Sequence, residues 1–211
     1  MSLLKNILKT IKRELRKEEK IRTNTHEDMR RATSLSKRAI LMIHQKRLAE
    51  TRKLLDEAKN ILLRLNGISR THPHLIYGGM FDAASQEYAE ANIFLTLVKE
   101  SKFIAPDQIN VSSVNYVLGL ADVIGEYRRL ALDALREDSM KKAEDCLQTM
   151  DEIYVELMAM DESYMLVPSL RRKTDIARRI IEITRGDVTQ EIRRSRLEKY
   201  LKRFEKRAER K

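Results

Sequence analysis

The sequence predicts an all-α fold, a single-domain antiparallel bundle of about six to seven helices spanning residues 1–211. Three observations carry that expectation. Only three prolines and six glycines occur in the chain, and Ala, Leu, Ile, Glu, Lys and Arg dominate it, as helical domains require. No run alternates apolar and polar residues between turn signals, so no sheet is expected. A chain of 211 residues can bury one sizeable core, which favours one domain.

The elements follow in order. Residues 2 to about 66 read as helical, with Ile40, Ile43, Leu54, Leu55, Ala58, Ile61, Leu62 and Leu65 as apolar positions. Thr23-Asn24-Thr25 is a candidate interruption, because Asn and Thr favour caps over helix interiors. Asn66-Gly67 reads as a helix stop, and Pro73 with the Gly78-Gly79 pair marks a loop. A second helix runs from about Met80 to Lys102, and Pro106 closes the next loop. The third starts at Ser112 or Ser113, either of which can cap it, and ends near Arg136. Its apolar residues wrap most of the circumference, which suits a helix at the centre of a bundle or of an oligomer. Arg128 falls on its apolar side and calls for an acidic partner. A fourth helix spans about Ser139 to Asp161, with Leu147, Met150, Tyr154, Leu157 and Met158 inward. Pro168 suits a first helical turn, and a fifth helix reaches Thr184. Arg185-Gly186 is read as its end. Asp187-Val188-Thr189-Gln190, an acidic variant of a capping box, opens the last helix. Residues 1–17 and 187–211 are basic helical extensions.

Lys and Arg exceed Asp and Glu by 42 − 32 = 10. Such a surplus favours a polyanion partner, nucleic acid above all; the bland alternative is charge for solubility. With no Trp and four Phe, base stacking should be minor and contacts mainly to backbone. Most basic pairs, among them Arg30-Arg31 and Lys37-Arg38, read as solvated faces. Cys146 stands alone, which rules out an internal disulfide and a cysteine-cluster metal site and fits a reducing, cytoplasmic setting. No run approaches about 18 apolar residues, so no membrane span and no membrane partner is expected. The basic amphipathic start lacks the apolar centre and cleavage site of a secretory signal and reads as part of the mature fold.

One residue breaks the pattern. Met80, Ala84, Ala91, Phe94 and Val98 share a helical stripe, and Glu87 lies in its middle, with Glu90 one turn on at its edge. A buried carboxylate needs a cation, a metal or a second acid sharing a proton. Side chains three residues apart are neighbours, so Glu87 and Glu90 can share one divalent ion or its waters. With Glu126 they form the candidate catalytic and metal-binding set. Mg2+, with Mn2+ as an alternative, suits a few carboxylates, retained waters and phosphate oxygens. The plain alternative makes these acids structural partners of Arg128 or Arg129. His72 and His74 read as loop residues and Cys146 as a small core residue.

Gln86-Glu87-Tyr88-Ala89-Glu90-Ala91 resembles the Q-E-[FY]-V-E-A segment of the translin family, in particular its translin-associated factor X branch. Tyr116 to Leu130, YVLGLADVIGEYRRL, resembles the family's Y-L-x-G-L-A-D-L-x-G-E-L-x-R-L stretch, the most specific of the matches. Ser169 to Asp175, SLRRKTD, is similar to a third segment. The order is the family's and the coverage is about residues 18–186. The resemblance implies a seven-helix bundle in a closed homo-oligomer, an octamer, around a cavity. It implies RNA, with single-stranded DNA as an alternative, as the partner. For the factor X branch it implies Mg2+-dependent endoribonuclease activity through the acids matching Glu87 and Glu90, with Glu126 at the family's Gly-Glu position. The translin branch implies the alternative, a non-catalytic nucleic-acid-binding oligomer. One departure stands out: the branch's V-Y-D-G-F stretch is matched by Ile153-Tyr154-Val155-Glu156-Leu157, with Val155 in place of the acid. Asp151, one turn earlier, is the candidate substitute ligand, and Glu156 is expected on the outer face. Arg128, Arg129, Arg171, Arg172 and Lys173 are the candidate nucleic-acid contacts.

Overall fold

The computed structural model describes residues 3–160, 162 and 164–208, with side chains to 206. Asp161, the expected end of the fourth helix, and the last three residues of the basic tail lie outside these. Among the described residues the chain is all-α: six long helices, α1 (Leu3–His44), α2 (Leu48–Ser69), α4 (Gly79–Glu100), α6 (Ser113–Arg136), α7 (Met140–Met158) and α8 (Leu170–Ala208), and two single turns, α3 (Pro73–Ile76) and α5 (Pro106–Ile109). None of the described helices is long and apolar enough to cross a membrane. The chain divides into two units, Met1–Gly119 and Leu120–Lys211, the boundary falling inside α6.

In the first unit, α1 and α2 form an antiparallel pair. Arg31 bonds Glu57, and Arg64 bonds Asp28 at 2.6 Å, so pairing runs backward in sequence. α4 lies parallel to α1 instead: Lys37 meets Glu87, and the His44 and Phe94 rings lie 5.1 Å apart, so pairing advances by the same step on both helices. The core is Met29, Ala32, Leu35, Ala39 and Ile43 from α1, Leu55, Ala58, Leu62 and Leu65 from α2, and Phe81, Ala84, Ala91 and Phe94 from α4. Spacings of three and four give α1 and α2 one buried face each.

The second unit places α7 antiparallel to α8. Arg185 holds Asp151, while Ala134, Ala143 and Val188 cluster with Leu135 and Ile192 around them. Arg128 has the acidic partner its position demanded: it donates to Thr184 Oγ1 at 2.8 Å and lies 3.3 Å from an Asp187 oxygen.

Several boundaries differ from the sequence reading. The first break falls at residues 45–47, not at Thr23-Asn24-Thr25. Those threonines turn their hydroxyls back onto carbonyls of their own helix, Glu19 and Arg22, which a helix interior tolerates. The reversal uses Lys46 at φ 60°, a left-handed residue that carries no sequence signal for a turn. α2 runs on through Asn66-Gly67 to Ser69, and α3 and α5 occupy stretches read as loops. Pro168 precedes α8 rather than lying in its first turn. α8 also passes through Arg185-Gly186 unbroken, because Asp187 is drawn to Arg128 instead of capping a new helix, and buried Thr184 and Val188 anchor both sides of the glycine.

Apart from its own turn of helix, a methyl group built on Gly186 meets nothing within 4 Å. Gly186→Ala should therefore stabilise the protein by about 0.5–1 kcal/mol, raising the Tm by roughly 1–4 °C. A lower Tm on calorimetry would count against an uninterrupted α8.

The large apolar residues of α6 are all buried or half-buried within this single chain, as a helix at the centre of a bundle requires. Exposed apolar residues form a seam at each end of the chain, Leu4, Leu8, Ile11 and Leu15 on α1 and Leu197, Tyr200, Leu201 and Phe204 on α8, and others, among them Tyr77, Val155, Met165 and Leu166, lie between.

Candidate metal and nucleic-acid site

α4 is built to be buried on more than one side. Phe81, Ala84, Ser85, Tyr88, Ala89, Ala91, Ile93, Phe94, Leu95 and Leu97 are all inside, and Ser101 ends the helix in a left-handed conformation, its N–H donating to Leu97 O at 2.9 Å. This wide buried arc reverses the expected ranking of the two acids. Glu90 is the buried one, 7 % exposed, while the Glu87 side chain keeps 23 % of its surface. The expected stripe ends short too, since Met80 and Val98 are exposed. A stripe drawn for one contact face misplaces the centre of a helix that α1 and α2 both cover.

The first turns of α6 close over α4 at the acids. A methyl group on Gly119 would stand 2.8 Å from the Gln86 carbonyl oxygen, 2.9 Å from the Glu90 nitrogen and 3.0 Å from Ala89 Cβ. Only a residue without Cβ allows that approach. The Asn115 amide donates to Asp82 at 3.3 Å, and the Tyr116 hydroxyl donates to Ile104 O at 2.6 Å. Together these contacts seat this part of α6 against α4 and its following loop.

Glu87 faces α1, where Lys37 Nζ lies 3.2 Å from its Oε1. Beside this pair opens a cleft of about 520 Å³, walled by Arg30, Thr33, Ser34, Lys37 and Arg38, with Leu41, Met80 and Ala83 as its apolar side. The sequence reading counted Arg30 and the Lys37-Arg38 pair among ordinary solvated faces. Their steps of seven and eight place them on one side of α1, away from the buried Met29-Ala32-Ala39-Ile43 face. That periodicity was the available signal. A second cleft, of about 480 Å³, continues along α1 with Arg22, His26 and His74, and shares Met80 with the first.

The remaining candidates lie in the second unit. Glu126 is half-buried there. Asp151 accepts two bonds from Arg185, at 2.7 and 2.9 Å, and Glu156 is exposed, as expected. Arg128 is held by Thr184 and Asp187, and Lys173 by Asp122; Arg129, Arg171 and Arg172 are exposed. Of the five basic candidates, two are thus engaged within their own unit.

Among the described residues no group of three or more His, Cys, Asp or Glu side chains is placed to hold a metal ion. The donor set fits a hard cation that keeps several waters and takes one or two carboxylates, as Mg2+ does; it does not supply an all-protein cage.

Buried protons set an alkaline limit. Burial pushes the Tyr88 and Tyr127 hydroxyls from 10.0 up to about 12, and the Cys146 thiol from 9.0 up to about 11. Cys146 therefore remains a thiol at neutral pH and a poor nucleophile. Raised pKa values mean that the folded state holds these protons more tightly. Their stabilisation is intact below about pH 9 and is lost as pH climbs through 11 to 12. Thermal melts at about pH 8 and about pH 11 should show the Tm falling, with a drop larger than surface charge alone causes in a Tyr88→Phe control.

The Translin family model matches residues 4–182. An uncharacterized protein of Methanocaldococcus jannaschii is 34 % identical over 157 residues, covering 74 % of this chain and 69 % of that protein. The crystal structure of AfC3PO superposes with a TM-score of 0.78 at 29 % identity, covering 90 % of this chain and 98 % of that one. The AfC3PO–duplex RNA complex gives the same TM-score at 30 % identity and the same coverage. Apo-NeC3PO, at 22 % identity, TM-score 0.78 and coverage of 87 % and 96 %, shares the fold.

Proposed function

The chain belongs to the Translin family, and from that premise we propose that it is an RNA-binding homo-oligomer with metal-dependent endoribonuclease activity. The observation that carries the nuclease reading is the placement of Glu87 and Glu90 on one side of α4, one half-buried and one buried, next to a basic cleft. A family setting without such acids would support binding alone. The similarity to AfC3PO in its duplex RNA complex supports RNA as the partner.

Glu87 and Glu90 would hold Mg2+, with Mn2+ as the alternative. When bound, the ion supplies a Lewis acid for the phosphoryl oxygen and lowers the pKa of a coordinated water. The chain's own residues do the rest. Gly119 lets α6 pack on the Glu90 backbone and fixes that carboxylate's root. Lys37 orients Glu87 and lends positive charge where phosphate must approach two acids. Glu126 is the candidate third acid and also matches the family's Gly-Glu position, and Asp151 is the candidate further ligand; Glu126→Gln and Asp151→Asn test each separately.

A homo-oligomer, an octamer in the family's pattern, is supported by the apolar seams at both chain ends, which helices without tertiary cover rarely keep in water. Light scattering should give a multiple of the 24.7 kDa chain mass; a monomer at micromolar concentration would end the shell proposal.

The second reading is a non-catalytic RNA- or single-stranded-DNA-binding oligomer. It is favoured by the Lys37–Glu87 ion pair, which already satisfies Glu87 in part, and by the missing third acid among the described residues. The deciding experiment is cleavage of single-stranded RNA with Mg2+, with Mn2+ and with EDTA. Metal-dependent cleavage supports the nuclease; binding without cleavage in any of the three supports the second reading.

A further inference from the structure

α1 sorts its basic residues by face. Arg31, on the side of α2, is bonded to Glu57, and Lys37 is paired with Glu87. Arg30 and Arg38 point into the cleft with Lys37, and neither is in an ion pair among the described residues. An exposed guanidinium beside a concave surface, with no carboxylate of its own, is free to take a phosphate through two parallel bonds.

The cleft has direction. Arg30 and Arg38 are eight residues apart, about 12 Å along the helix at 1.5 Å per residue, long enough to meet more than one phosphate. The second cleft extends the same surface back to Arg22 and His26, with Met80 common to both. At its other end lies Lys37, whose ammonium touches Glu87. Leu41, Met80 and Ala83 give the surface an apolar side on which a ribose or base can lie. No aromatic side chain lines the first cleft, so recognition there is of backbone rather than of stacked bases.

We propose that the α1 cleft, through Arg30 and Arg38, holds the sugar-phosphate backbone of an RNA strand and leads it to Glu87 at the Lys37 end. This rests on the RNA-binding nuclease reading above. It goes beyond that reading by placing the contact on α1, rather than on Arg128, Arg129, Arg171, Arg172 and Lys173, the candidates that the sequence offered. Backbone contact makes the affinity depend on salt, by about 0.7 in the slope of log K against log salt for each single-strand phosphate neutralised.

The test is titration of labelled single-stranded RNA in EDTA, so that cleavage plays no part, at several salt concentrations. Wild type is compared with Arg30→Gln/Arg38→Gln and with Arg171→Gln/Arg172→Gln, and circular dichroism confirms that each is folded. The expected result is a loss of affinity of at least about tenfold and a slope smaller by about 1.4 for the α1 variant, with little change for the other. An unchanged α1 variant alongside a weakened Arg171/Arg172 variant overturns the assignment and leaves RNA binding standing. Wild type that binds no RNA overturns both this assignment and the reading it rests on. Weakened binding by the α1 variant, with no metal-dependent cleavage by wild type in a separate assay with Mg2+, supports the cleft while removing the nuclease.

Discussion

Replacing Glu87 and Glu90 by glutamine should lower metal-dependent RNA cleavage by about 10²-fold or more while leaving RNA bound. Glutamine keeps the shape and an acceptor oxygen but not the charge, and a divalent ion held by two carboxylates loses its main attraction when both are neutral. The cost is set by charge stabilisation lost in the transition state, for which single-group removals amount to about 10²–10³. The two residues act on one ion, so either single change should cost nearly as much as both together. Binding moves the other way: two fewer negative charges beside the basic cleft reduce repulsion of phosphate. Cleavage at the wild-type rate by the double variant, with unchanged metal dependence, would remove both acids from the chemistry. Loss of cleavage together with unfolding would instead mark Glu90, the buried acid, as structural, and Glu87→Gln alone then decides the matter because Glu87 lies nearer the surface.

Gly119→Ala is expected to cost about 1–3 kcal/mol, net of helix propensity. In an open helix the substitution would gain up to about 1 kcal/mol. Here the added methyl meets backbone atoms of α4 at 2.8 and 2.9 Å, and backbone cannot swing aside as a side chain can. α6 must lift away from α4 at the Glu90 amide. The Tm should fall by roughly 2–10 °C, and cleavage should fall further than stability explains because the root of Glu90 moves. Gly125→Ala is the control, since a methyl there meets nothing within 4 Å. Equal, small effects at both positions would show that α6 is not held against α4 as described.

These two glycines show where sequence reading stops. Both lie in the most specific family-like segment, and nothing in their flanking residues separates the one that touches α4 from the one that touches nothing. Likewise Arg185-Gly186-Asp187 has the composition of a helix end followed by a cap, yet Arg128, 59 positions earlier than Asp187 in the chain, takes the carboxylate and the helix continues. Lys46 turns the chain without Gly or Asn, so the break between α1 and α2 had no local sign.

The sequence by itself determined the helical class, the start and end of α6, the need of Arg128 for an acid, and the pairing of Glu87 with Glu90 on one helix side. Each depends on periodicity or on the cost of burying charge, and both act within one helix. Only the tertiary structure decided that Glu90 is the more deeply buried of the two acids, that Lys37 is the cation at Glu87, and that Arg30 and Arg38 border the cleft beside them. Those outcomes depend on which side of α4 each neighbour covers, and residues 37 and 87 meet only because α1 and α4 run parallel, a relation set by packing between helices distant in sequence.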